Sequence, residues 1–184
     1  MLNIANKLTL ARMIMIPLFI AFALAGGVWC DAIALAVFII ASLTDLADGK
    51  IARKYNMVTD FGKFMDPLAD KLLVTAALCV LVHKAETSVW VLFIITVREF
   101  VVTGLRLVAA GSGNVIAASM WGKVKTMVQL IVISVSLAPI KFVHEPVLFS
   151  KSAVYWAMWA VAVITVISGI DYLVKNKDVF KEAK

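Results

Sequence analysis

Apolar residues fall along the chain in six long stretches separated by short polar or glycine-bearing breaks. A helix needs about 20 mostly apolar residues to cross roughly 30 Å of hydrocarbon. The stretches Leu8–Val28, Ala32–Arg53, Asp60–His83, Ser88–Ala110, Trp121–Ile140 and Ser152–Val174 fit that length. Gly26-Gly27, the run Gly111-Ser112-Gly113-Asn114, and Pro139 and Pro146 act as breakers between them. The pattern predicts an all-α polytopic membrane protein of six transmembrane helices, with residues 1–184 forming a single membrane domain. The first stretch follows Lys7 and Arg12, as a secretory signal would. Its length, its internal Pro17 and the immediate onset of the second stretch favour a retained helix.

Composition supports the pattern. Of 184 residues, 62% are hydrophobic and only 16% charged, against about 25% in a soluble domain. These values exclude a soluble globular protein, a disordered chain and a nucleic-acid binder, despite a formal charge of +6. The basic residues read instead as a topology signal. Fifteen of the 18 Lys and Arg fall on one side of a six-span arrangement, leaving Lys84, Lys141 and Lys151 on the other. The positive-inside bias places both termini in the cytoplasm of a bacterial-type cell membrane. Cys30 and Cys79 offer neither a disulfide framework nor metal-ligand spacing. His83 and His144 fall on the outer side and read as interfacial residues, and Trp121, Trp156 and Trp159 suit interface or lipid packing.

The second and third stretches break the apolar rule at their cytoplasmic ends. Relative to Asp45, the residues Asp48, Gly49, Ala52 and Arg53 lie at +3, +4, +7 and +8, one face of a helix. Gly62, Asp66 and Asp70 lie at 0, +4 and +8, again one face. A short connection lets the two stripes face each other and converge four carboxylates at the membrane boundary. Pro67 disfavours helix at Asp66, so the third helix is either kinked there or starts there. Four ionised carboxylates in a low-dielectric setting need protons or cations. Two divalent ions balance four such charges, and all-oxygen ligation suits Mg²⁺ or Mn²⁺. Such a pair stabilises in-line phosphoryl displacement. The small residues Gly49, Ala52 and Gly62 allow a phosphate close to the helices, and Arg53 suits bidentate pairing with it. Simple ion pairing of these acids with Lys50, Arg53, Lys63 and Lys71 would not put every position in phase.

The pattern Asp45-x2-Asp48-Gly49-x2-Ala52-Arg53-x8-Gly62-x3-Asp66-x3-Asp70 resembles the signature of the CDP-alcohol phosphotransferases, matching it at all eight positions over 26 residues. The resemblance implies a membrane enzyme with a polar active-site cavity on the cytoplasmic side, which moves a phosphatidyl or similar group from a CDP-linked donor to an alcohol. It implies that Asp45, Asp48 and Asp66 hold two divalent metals, and that Asp70 touches a metal and serves as general base. It further implies that Gly49, Arg53 and Thr59 line the CDP site, and that the protein is a homodimer.

Three segments resemble the family branch that joins CDP-diacylglycerol to sn-glycerol 3-phosphate: Asn6-Lys7-Leu8-Thr9-Leu10-Ala11-Arg12, the run from Arg98 to Arg106, and the run from Ser119 to Gln129. Glycerol 3-phosphate carries nearly two negative charges and needs fixed cations. Arg98 and Arg106, eight apart, share a helix face. Ser119, Gly122, Lys123, Thr126 and Gln129 share another. The acceptor-phosphate candidates are therefore Arg98, Arg106, Ser119, Lys123 and Lys125, although Lys125 lies off the polar face and also suits an interfacial anchor. Asn6 and Thr9 suit either contact with CDP-diacylglycerol or, with Arg12, the anchoring of an interfacial first turn. Inositol phosphate needs the same cations, so charge alone does not separate a phosphatidylinositol-phosphate synthase, and a cardiolipin synthase is a further alternative. A divalent-cation channel or transporter is a remote one: it would spread acids along a path and give Gly49, Arg53 and Gly62 no role.

Overall fold

The computed structural model describes residues 4–54, 60–111, 119–140, 144–148 and 151–176; of residues 4–7, 45–54, 60–67 and 110–111 it describes the helical backbone alone. Most of these residues lie in six long helices: α1 (Ile4–Ala25), α2 (Val28–Lys54), α3 (Asp60–His83), α4 (Val89–Gly111), α5 (Met120–Leu137) and α6 (Ala153–Lys175). They coincide with the six apolar stretches to within four residues at each end. Three contain stretches long and apolar enough to cross a membrane: Leu8–Ala25, Met120–Leu137 and Ala153–Lys175. Helix α2 has a shorter apolar part, Val28–Thr44, before its acidic stripe.

The breaks have local causes. Gly26 and Gly27, at φ +75° and +94°, make the tight α1–α2 turn in a conformation that side chains resist. Helix α3 ends in a Schellman arrangement: Glu86 N–H donates to the Leu81 carbonyl and Ala85 N–H to Val82, with Ala85 at φ 58°. Serines cap three of the later helices. The Ser88 hydroxyl accepts from Trp90 N–H, Ser119 from Gly122 N–H and Ser152 from Tyr155 N–H. A two-stranded antiparallel hairpin, β1 (Pro146–Leu148) and β2 (Lys151–Ser152), precedes α6.

Helix α1 packs on α2 and α3, α4 on α3 and α6, and α5 on α2, α3 and α6. Phe19, Phe38, Leu78, Leu81, Ile95, Ile133 and Met158 fill the centre, with the Phe19 and Phe38 rings 5.8 Å apart. Large apolar side chains also cover the outside, including Ile14, Leu18, Trp29, Trp90, Phe93, Ile131 and Val163. An apolar core inside an apolar exterior is what a bilayer solvent asks of a helix bundle. Helix α3 runs unbroken from Asp60 through Asp66 and Pro67, so of the two arrangements expected there the start at Asp66 does not occur. Cys30 and Cys79 are free thiols.

Candidate active site

The acidic stripes sit on two helices in contact. Asp45, Asp48, Gly49, Ala52 and Arg53 lie in the C-terminal half of α2, and Gly62, Asp66 and Asp70 in the first half of α3. Continuous helical backbone through both segments puts each set in register on one face. The five-residue link brings the two stripes to the same end of the helix pair. The side chains of Asn6, Asp45, Asp48, Gly49, Ala52, Arg53, Gly62 and Asp66, and all of Thr59, lie outside the described residues.

Asp70 is described in full. Its side chain is one-third exposed, and its Oδ2 receives a hydrogen bond from Lys71 Nζ at 2.6 Å. Lys71 also lies 3.0 Å from Glu99 Oε2 on α4. The other carboxylate oxygen of Glu99 accepts from Lys125 on α5, whose side chain is completely buried. Arg98 Nη1 stands 3.9 Å from the same carboxylate. One acid thus ties together α3, α4 and α5. It also settles the place of Lys125. That ammonium is neither an interfacial anchor nor a wall of the neighbouring cavity, because it is held inside the protein on Glu99.

Beside this cluster lies a cavity of about 440 Å³. Lys71, Arg98, Arg106 and Lys123 line it together with Glu99, so among the described residues four cations face one carboxylate. Thr103, Gly122 and Thr126 add small and hydroxylated wall. Arg98 is mostly buried, and its Nε has no hydrogen-bond partner among the described residues. An Arg inside an apolar helix is expensive and faces a wet or liganded interior. A planar guanidinium with spare N–H donors is suited to a phosphate. Ser119 stands apart from the wall; its hydroxyl caps α5 and holds Gly122 N–H at 3.1 Å. Thr9 and Arg12 are both buried on α1, so Arg12 packs inside the bundle.

Two groups of residues escaped the sequence reading. Lys71 was read only as a simple ion-pair partner of the acids, as it is for Asp70, and sequence adjacency hid the contacts that Lys71 and Lys125 make with Glu99 across helices. Ser168, Gly169 and Tyr172 on α6 back the two cavity arginines. Arg98 Nη2 donates to Ser168 Oγ at 2.7 Å, and Arg106 Nε donates to Tyr172 Oη at 3.3 Å. A signal existed for this second group: small and polar positions at i, i+1 and i+4 in an otherwise apolar stretch point to the protein interior.

The fold is that of a membrane-embedded helix bundle with a cation-lined cavity, and the comparisons give its family. A family model described as CDP-alcohol phosphatidyltransferase matches residues 2–171, and the chain belongs to that family. A relative from Bacillus subtilis (strain 168), named CDP-diacylglycerol–glycerol-3-phosphate 3-phosphatidyltransferase, is 46% identical, with 98% of each chain covered. Relatives of the same name from Salmonella paratyphi A (strain ATCC 9150 / SARB42) and Rickettsia felis (strain ATCC VR-1525 / URRWXCal2) are 35% and 34% identical, covering 93% and 97% of each chain. A crystal structure of Mycobacterium tuberculosis phosphatidylinositol phosphate synthase shares the fold, with a TM-score of 0.54 over 92% of each chain at 22% identity.

Proposed function

We propose that this protein transfers the phosphatidyl group of CDP-diacylglycerol to sn-glycerol 3-phosphate, giving phosphatidylglycerophosphate and CMP. The observation that carries the reading is the cavity itself: among the described residues, four cations against one carboxylate, joined to Asp70 through Lys71. Such a pocket suits a small dianion, and the relatives named above act on glycerol 3-phosphate.

In this reading residues 1–184 form one membrane domain of six spans. Both termini and the active site face the cytoplasm of a bacterial-type membrane, as the Lys and Arg distribution favours. The donor's acyl chains remain in the bilayer while the acceptor arrives from water, so the site belongs at the boundary. Asn6, Thr9, Gly49, Ala52, Arg53, Thr59 and Gly62 take the CDP end of the donor. Arg98, Arg106 and Lys123 hold the acceptor phosphate, and Lys125 supports them through Glu99. Asp70 takes the acceptor hydroxyl's proton on the carboxylate oxygen that Lys71 leaves free. The deprotonated oxygen attacks the β-phosphorus, a new P–O bond forms, and the bond to CMP breaks. The donor set of Asp45, Asp48, Asp66 and Asp70 on two contacting helices is all oxygen and fits two Mg²⁺ or Mn²⁺ ions. When bound, those ions neutralise pyrophosphate charge and stabilise the leaving CMP. A homodimer completes the reading.

Purified full-length protein with CDP-diacylglycerol and a divalent ion tests it against a panel of acceptors, following lipid product and CMP together. Glycerol 3-phosphate should support release and inositol phosphate should not. Equal release with another acceptor would overturn the assignment. Excess chelator should abolish turnover and added Mg²⁺ or Mn²⁺ restore it; full activity in chelator would remove the metals from the reading.

A further inference from the structure

The cavity arginines are held from behind by a helix that contributes nothing to the cavity wall. Arg98 lies in a slot between two glycines. A Cβ at Gly169 on α6 would stand 3.1 Å from Arg98 Cγ, and one at Gly122 on α5 would stand 3.8 Å from Nη2. Ser168, fully buried, accepts from Nη2 at 2.7 Å. Arg106 is held one turn further along α6 by Tyr172, which accepts from Nε and places its ring centroid 5.4 Å from the guanidinium. Tyr172 is itself 1% exposed, so its hydroxyl is a fixed point. Ser168, Gly169 and Tyr172 share one helix face. A long Arg side chain has many rotamers, and fixing it in advance removes an entropic cost from binding.

We propose that the Ser168-Gly169-Tyr172 face of α6 positions Arg98 and Arg106 for the acceptor phosphate and so sets how tightly the enzyme holds a phosphate-bearing acceptor. This deepens the function proposed above and rests on its acceptor site. The three residues are positioning residues: they act through the arginines and touch no substrate.

The test uses full-length protein carrying Ser168→Ala, Ser168→Thr, Gly169→Ala or Tyr172→Phe. Three quantities are measured: KM for glycerol 3-phosphate, KM for CDP-diacylglycerol, and the inhibition constant of inorganic phosphate against the acceptor. Loss of one hydrogen bond to a guanidinium should raise the acceptor KM and the phosphate inhibition constant together, by roughly five- to thirtyfold. The donor KM should stay within about twofold. Ser168→Thr keeps a hydroxyl and should restore most of the loss seen in Ser168→Ala. Equal rises in both KM values, or a lower unfolding temperature with no change in phosphate inhibition, would overturn the proposal. If the wild-type enzyme uses a different phosphate-bearing acceptor, the assignment of glycerol 3-phosphate fails. Parallel shifts for that acceptor and for phosphate would still support α6. If phosphate does not compete with the acceptor in the wild type, the arginine pair is not a phosphate site and this inference falls.

Discussion

Two polar clusters occupy the two ends of α5, roughly 20 Å apart along its axis, and they are built on opposite principles. At its far end a cavity of about 480 Å³ is lined by Asp31, Lys84, Glu86, His144 and Glu145. Asp31 meets Lys84 at 2.5 Å. Glu86 accepts from Ser152 Oγ and faces His144 Nδ1, both at 2.9 Å. His144 Nε2 donates to the Ala138 carbonyl at 2.9 Å. Most charges there meet a partner, and the partners join α2, the α3–α4 turn, the end of α5 and the start of α6. At the near end, among the described residues, cations outnumber the carboxylate in the cavity wall four to one, and of these Lys71 alone also meets a second acid, Asp70. Matched charge close to a boundary is a fastening; unmatched charge of one sign, kept where it is costly, implies a ligand of the other sign. Size does not separate the two cavities, since the fastened one is slightly larger. Charge balance does.

The comparison is broken most severely at Asp70. Asp70→Asn keeps shape and volume while removing the carboxylate that meets Lys71. Turnover should fall by roughly 10³-fold, the scale of a lost general base. Membrane insertion and the unfolding temperature should hold. Near-normal CMP release from the purified variant would remove Asp70 from the chemistry and leave the near-end cluster as another fastening.

Glu99 is where the two principles meet, a matched acid inside an unmatched cluster. Glu99→Gln would leave Lys71 and the buried Lys125 without their shared counter-charge. Removing one partner of a buried pair costs about 3 kcal/mol. The unfolding temperature should drop, and adding Lys125→Met should recover part of the loss by removing the stranded charge. A double-mutant cycle measures this coupling. Additive effects would mean that the contact contributes no stability. A milder change, Lys123→Ala, removes one exposed cavity cation. It should raise the acceptor KM about tenfold, the scale of one charge-assisted phosphate contact, with little effect on unfolding.

The sequence was most informative where one helix sufficed to make the pattern. Six apolar stretches gave six helices, because a span's length is a property of the span alone. The aspartate stripes and the Arg98–Arg106 face follow from helical period for the same reason. Contacts between helices were not legible. Lys125 falls off the polar face of α5 by period, yet its ammonium is buried on an acid from α4. Glu99 follows Arg98 directly and lies 3.9 Å from it, yet its shorter contacts are with Lys71 and Lys125 on other helices. Ser168, Gly169 and Tyr172 gain meaning only when α6 is laid against α4. Ser119 reads as a phosphate ligand by its position on the α5 face; its oxygen also caps the first turn of the helix, a second use that the periodicity does not show. In each case a side chain had competing partners, and only the packing chose between them.

The smallest expected effect sharpens the comparison from its quiet end. Asp31 and Lys84 are about one-quarter exposed, so their attraction is partly screened. Asp31 also lies in the first turn of α2, where a negative charge complements the helix dipole. Asp31→Asn keeps a polar side chain in place and removes both charge effects. The expected loss is about 1 kcal/mol, seen as a fall of roughly 2–4 °C in unfolding temperature for a chain of this size. The acceptor KM should not move, because the cavity lined by Arg98, Arg106 and Lys123 lies at the other end of α5. Raising the salt concentration should shrink the difference between variant and wild type. A change in acceptor KM would show that the far end communicates with the site, and the division into fastening and binding ends would fail.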